Sequence, residues 1–232
     1  MQIVKWKQGK RNMKVRKLIT FFATILLCVS CGEIIDPESV DEEYSVTYYA
    51  KPPHSKENQG YLYLKANGES DYIQLSPIAD SPFTLFISVT DKKGQEAIDF
   101  IKSKDDSPIT SMQDLNPGQA GTARTYRVVS TKYFQSRYFF VSECYSADGV
   151  SNIHVQPYIT VKMRAGQDIS TVEEEYKSVI RLAQENDDGT YLFSCSYKTS
   201  YEVLMLTTHI FDKAEVAWAE PSLQGAITIS NK

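Results

Sequence analysis

The chain has 232 residues, 42% of them hydrophobic and 23% charged, with 25 Lys and Arg against 29 Asp and Glu. That composition supports one or two globular domains with a hydrophobic core and excludes a fibrous or disordered chain. Residues 1 to 31 hold seven of the basic residues and no acidic one, so the remainder carries 18 positive against 29 negative side chains. An acidic body excludes binding through nucleic-acid phosphates, which requires a basic face.

The first element is a secretory signal. Lys14, Arg16 and Lys17 precede the apolar run from Leu18 to Val29, and small residues lead to Cys31. This core of twelve residues is shorter than the span of about 20 that crosses a bilayer. Its end resembles the lipobox of bacterial lipoproteins, with Cys28 standing where that pattern usually has Leu. The resemblance makes Cys31 the lipid-bearing first residue of the mature protein. Residues 32 to 43 then read as an acidic leash, similar to the surface-export signal of lipoproteins in the Bacteroides group. The expected location is the outer membrane, anchored by lipid, on the cell surface or the periplasmic face.

From 44 to 150 the pattern is short β-rich runs between turn residues. Tyr61 to Leu64 and Tyr72 to Leu75 flank the Asn67-Gly68 turn of a predicted hairpin. Phe83 to Val89 is a third strand with Phe83, Leu85, Ile87 and Val89 on one face. Gln95 to Lys102 forms a short predicted helix, Ser103 to Thr122 a long polar loop, and Arg124 to Ser130 and Arg137 to Tyr145 two further strands. The many tyrosines fit half-buried strands better than an exposed row stacking on a glycan.

From Val155 the periodicity changes. Tyr158 to Met163 reads as a strand, and Ser170 to Glu173 has the form of a capping box opening a helix with Val172, Tyr176 and Val179 on its face. Ile180 to Gln184 and Thr190 to Ser196 make a hairpin around Asn186 to Gly189. Thr199 to Glu202 opens a second capped helix carrying Val203, Leu206, Ile210 and Phe211. Val216 to Ala219 is the last strand, stopped by Pro221. The expected class is α+β, with a β-rich domain over 44 to 150 and a ferredoxin-like βαββαβ domain with a C-terminal tail over 151 to 232.

The run His209-Ile210-Phe211 through Val216-Ala217-Trp218-Ala219-Glu220-Pro221 resembles the end of the propeptide domain of subtilisin-family serine peptidases. Upstream, Tyr145 to Gly149 with Ile153 to Met163, and the hairpin from Gly60 to Leu75, resemble the N-terminal region of such peptidases from Bacteroides-type bacteria. The similarity covers roughly 60 to 221. The Asp-Ser/Thr-Gly, His-Gly-Thr-His and Gly-Thr-Ser blocks of the peptidase are absent. The resemblance therefore implies the propeptide's role without the enzyme: a sheet that packs on a subtilisin-type peptidase and a C-terminal segment that enters its cleft. It implies partner-binding by Glu220, Pro221, Ser222, Leu223 and Gln224.

No other chemistry stands out. His54, His154 and His209 lack paired ligand spacing, and Glu173 to Glu175 fits the first turn of a helix, where carboxylates meet the dipole favourably. Cys144 and Cys195 sit in strand-like runs outside any Cys-x-x-Cys motif, leaving buried thiols and a disulfide both open. Neither a catalytic residue, a cofactor nor a metal is expected. The expected function is a non-catalytic envelope lipoprotein that binds or inhibits a subtilisin-type peptidase; the alternative is a surface glycan- or protein-binding structural lipoprotein.

Overall fold

Alternating apolar residues draw about half of the described residues into antiparallel strands. The computed structural model describes residues 37–53, 61–64, 72–78, 83–117, 123–146 and 152–225. The signal segment, Cys31 and the Asn67-Gly68 turn lie outside them. Among the described residues there are thirteen strands and three helices. The strands are β1 (Ser39–Asp41), β2 (Val46–Tyr49), β3 (Tyr61–Leu64), β4 (Tyr72–Ile78), β5 (Phe83–Val89), β6 (Ile109–Asp114) and β7 (Arg124–Ser130). They continue as β8 (Tyr133–Ser136), β9 (Phe140–Ser146), β10 (Ile153–Met163), β11 (Ile180–Glu185), β12 (Thr190–Cys195) and β13 (Val216–Gly225). The helices are α1 (Lys92–Ser103), α2 (Ser170–Tyr176) and α3 (Ser200–Phe211).

One large sheet runs in the order β11-β12-β10-β9-β5-β7-β6, with β13 paired to β10 and the β3-β4 hairpin joined through β4 to β9. A smaller sheet has the order β1-β2-β8. Leu85, Ile87 and Val89 of β5 meet Ala97, Ile98 and Ile101 of α1 in one core. Ile159 and Val161 of β10, Phe193 of β12 and Ala219 of β13 meet Val203, Leu206 and Ile210 of α3 in a second. The side chain of Asp91 caps α1 by accepting from Gly94 N at 2.8 Å.

The expected α+β class with a ferredoxin-like domain does not hold. The elements β10, α2, β11, β12, α3 and β13 follow one another in the expected order, but they do not form a four-stranded unit of their own. Ile153 of β10 pairs with Tyr145 of β9, and Val141 N of β9 donates to Lys198 O before α3 at 2.8 Å. Strand pairing therefore carries straight across residues 146 to 153 into one mostly β architecture. Helix is scarce where the capping-box motif promised it. Ser170 does not cap α2: its own N–H donates to Asp168 Oδ1, and the helix ends after seven residues. At Thr199 the motif does form, with Glu202 N donating to Thr199 Oγ1 and Glu202 Oε2 accepting from Thr199 N.

Three other differences have local causes. The predicted polar loop from Ser103 contains β6, whose Ile109 and Met112 alternate with polar side chains at the sheet's edge, so its strand carries almost no apolar signal. The predicted strand from Arg137 starts at Phe140, because Ser136 Oγ accepts from Tyr138 N in a turn after β8. Finally, β13 does not stop at Pro221. It runs on to Gly225, and Pro221 is tolerated beside an irregularity in the β10 register, at a strand with β10 as its pairing partner.

Candidate functional site: an open sheet face

Register decides which side chains of the C-terminal strands meet solvent. Ile159, Val161 and Met163 of β10 point into the core under α3, so Tyr158, Thr160 and Lys162 point the other way. Tyr158 pairs with Ser194 and Thr160 with Leu192 on β12; Thr160 pairs with Glu220 and Lys162 with Trp218 on β13. Arg181 of β11 extends the row opposite Ser194. Tyr158 is exposed, and Trp218, Leu192, Lys162 and Glu220 are half-buried. The result is a sheet face opposite the helices, with two aromatic side chains, one leucine and charges of both signs.

The implied partner-binding residues divide between the two faces. Glu220 lies on the open face. Pro221 is buried beneath it, against Ile159. Ser222 and Leu223 are half-buried in β13, with Leu223 packed against the α3 core. Gln224 is exposed, yet its Oε1 lies 2.7 Å from His154 Nε2 and accepts from Gln156 Nε2 at 3.0 Å. All five belong to a paired strand, so a free arm cannot begin at Ser222. Trp218 is half-buried, with Lys162 rather than a core residue as its register partner.

Sequence reasoning missed a buried polar cluster under α3. Ser200 Oγ lies 2.9 Å from the Tyr145 hydroxyl and accepts from Glu143 N at 3.3 Å, and the Tyr145 hydroxyl donates to Glu143 Oε2 at 3.4 Å. All three residues are buried. Burial, with Glu143 nearby, also pushes the Tyr133 hydroxyl far up from its ordinary value. A serine sealed this way has no route to a substrate, so its hydroxyl ties the start of α3 to β9. The sequence signal was the Thr199-Ser200 motif alone; that Glu143 has no solvent face follows from the uninterrupted burial of β9 in the structure.

Cys144 and Cys195 are not joined by a disulfide, and Cys144 Sγ donates to Asn152 Oδ1 at 3.4 Å. At the β11 edge a cavity of about 300 Å³ is lined by Lys177, Val179, Arg181, Ser194 and Cys195. Burial pushes the Cys195 thiol up to about 12, which keeps it protonated and a poor nucleophile. His154 is buried in a strand and His209 exposed on α3; His54 lies outside the described residues. Among the described residues no cluster of three or more His, Cys, Asp or Glu side chains is placed to hold a metal, and no helix is long and apolar enough to cross a membrane. No family model, curated protein or solved structure matches this chain.

Proposed function

We propose that this protein is a non-catalytic envelope lipoprotein, anchored through Cys31 to the outer membrane on its surface or periplasmic face, that binds a protein partner on the open sheet face. The partner class we favour is a subtilisin-type serine peptidase, on the resemblance of residues 60 to 221. The observation that carries the reading is Trp218, a tryptophan held half out of the core on β13, the outer strand of the open β-surface beside β10. Tryptophan is enriched among the residues that dominate interface energies.

Size sets what else is needed. Four strands about 4.8 Å apart, each about five residues long at about 3.3 Å per residue, make a patch roughly 19 by 17 Å. A standard interface buries about 800 Å² per partner, so neighbouring loops or an added strand must join the contact. The described tyrosines between 44 and 150 favour this reading over a glycan platform, because Tyr48, Tyr126, Tyr133 and Tyr145 are buried and Tyr44, Tyr49 and Tyr138 half-buried.

The test is titration of a subtilisin-type peptidase with lipid-free protein starting at Gly32, read both as binding and as inhibition. Saturable binding that is lost in Trp218→Glu with the fold intact supports the reading. Absence of binding at micromolar concentration removes the peptidase as partner.

A further inference from the structure

We infer that the outward row of the β1-β2-β8 sheet, Val40, Thr47 and Gln135, is the surface this protein lays against the lipid headgroups of its own membrane. The inference rests on the lipid-anchor reading of Cys31. The acidic stretch 32 to 43 looked like a flexible leash, but from Glu38 onward it is part of the body. Ser39, Val40 and Asp41 pair with Tyr48, Thr47 and Val46 of β2, and Glu38 N donates to Tyr48 O at 2.8 Å. Two ion pairs hold the same segment at its sides: Asp41 with Lys104, and Glu38 with Lys132 at 2.7 Å.

Only residues 32 to 37 therefore separate the lipidated cysteine from a fixed strand. Seven residue steps reach about 25 Å when fully extended, and closer to 15 Å as a flexible coil. A compact body of about two hundred residues has a radius of gyration near 16 Å. The tether is thus shorter than the body is wide, and the part of the surface carrying β1 is the part held at the membrane.

That surface suits the position. Val40 pairs with Thr47 and Thr47 with Gln135, so these three form one row across the sheet, while Tyr48 and Phe134 point inward. The row has no charge, and Val40 is 57% exposed, an apolar side chain facing solvent on an edge strand. Glu38, on the same side as Val40, is engaged by Lys132, and Asp41, opposite Val46, lies on the other side of the sheet. A contact this small is weak alone, but a short tether supplies it at an effective concentration in the millimolar range.

The experiment uses the full acylated protein in phosphatidylcholine vesicles carrying a headgroup-attached quencher. A fluorophore is placed at Val40→Cys or, as the distant site, at Leu182→Cys, each in a Cys195→Ser background. The expected result is quenching severalfold stronger at position 40 than at 182, and loss of that difference when a long Gly-Ser spacer is inserted after Gly32. Flotation with the vesicles but equal quenching at both positions overturns the surface assignment alone. Failure to float removes the lipid anchor, and the assignment falls with it.

Discussion

His154 of β10 and Gln224 of β13 face each other across the sheet with Nε2 and Oε1 2.7 Å apart, while the imidazole lies flat on Phe86 at 4.3 Å between ring centroids. The amide oxygen can only accept, so Nε2 of the histidine carries a proton. Burial lowers the His154 pKa, and the bond to Gln224 only partly opposes the shift. In the unfolded chain the imidazole titrates near pH 6.5. Because the folded value is lower, the unfolded state binds more protons between the two values. The contribution is complete above about pH 6.5 and is lost as pH falls toward the folded pKa. Denaturant midpoints measured from about pH 7.5 to 5 should therefore fall more steeply for wild type than for His154→Gln, which keeps a donor but does not titrate. Parallel curves would show that His154 is not the group responsible. The lowered carboxyls of Asp168 and Asp188, held by hydrogen bonds from Ser170 and Thr190, act in the same direction but at lower pH, losing their contribution only as they protonate in acid.

The junction between β9 and α3 should be the most sensitive polar site. Thr199→Ala removes the capping hydroxyl that accepts from Glu202 N and is expected to cost about 1 to 2 kcal/mol. Ser200→Ala takes away the buried partner of the Tyr145 hydroxyl and the acceptor of Glu143 N, for roughly 1 to 3 kcal/mol. The residues touch the same two elements, so the double substitution should depart from additivity. Equilibrium unfolding of the three variants checks this, and strict additivity would mean the cap and the cluster act independently.

Gly94 sits in the first turn of α1, where an added Cβ would lie 2.5 Å from Tyr138 O and 2.9 Å from Val89 Cγ1. The first of these atoms is backbone and cannot swing away. Gly94→Ala is therefore expected to destabilise by about 1 to 3 kcal/mol although alanine is the better helix former. A stabilised variant in thermal unfolding would show that α1 does not approach the turn before β9 so closely.

Local signals were legible where one face of an element is apolar and the other polar. The strands Phe83–Val89 and Arg124–Ser130, the hairpin partners over 61 to 64 and 72 to 75, and the Thr199 cap all follow from alternation or a short motif. Lateral joining was not legible. Nothing in Ile153 or Tyr145 announces that they pair, and that link, with the Val141 to Lys198 hydrogen bond, joins the two segments the sequence suggested as domains in one sheet system. Pro221 misled for a related reason, since a proline ends a central strand but is accommodated beside a register irregularity. The open face could be read only afterwards, because the side on which Trp218 falls depends on pairing with Lys162, 56 residues earlier in the chain.

Trp218 separates the fold from the function proposed for it. A buried tryptophan cut to alanine costs about 3 to 5 kcal/mol. Here the ring is half-buried on the open face, and Val216 and Ala219 supply the buried contacts of β13, so Trp218→Ala is expected to cost only about 1 to 2 kcal/mol of stability. Its effect on binding should be larger. An aromatic anchor at the centre of an interface contributes 2 kcal/mol or more on truncation, which is roughly a thirtyfold rise in dissociation constant. Val216→Ala should show the reverse balance, losing stability through a cavity in the α3 core while leaving the open face intact. Denaturant unfolding and peptidase titration on both variants separate the two effects. If Trp218→Ala binds like wild type, the open face is not the docking surface, whatever the partner proves to be.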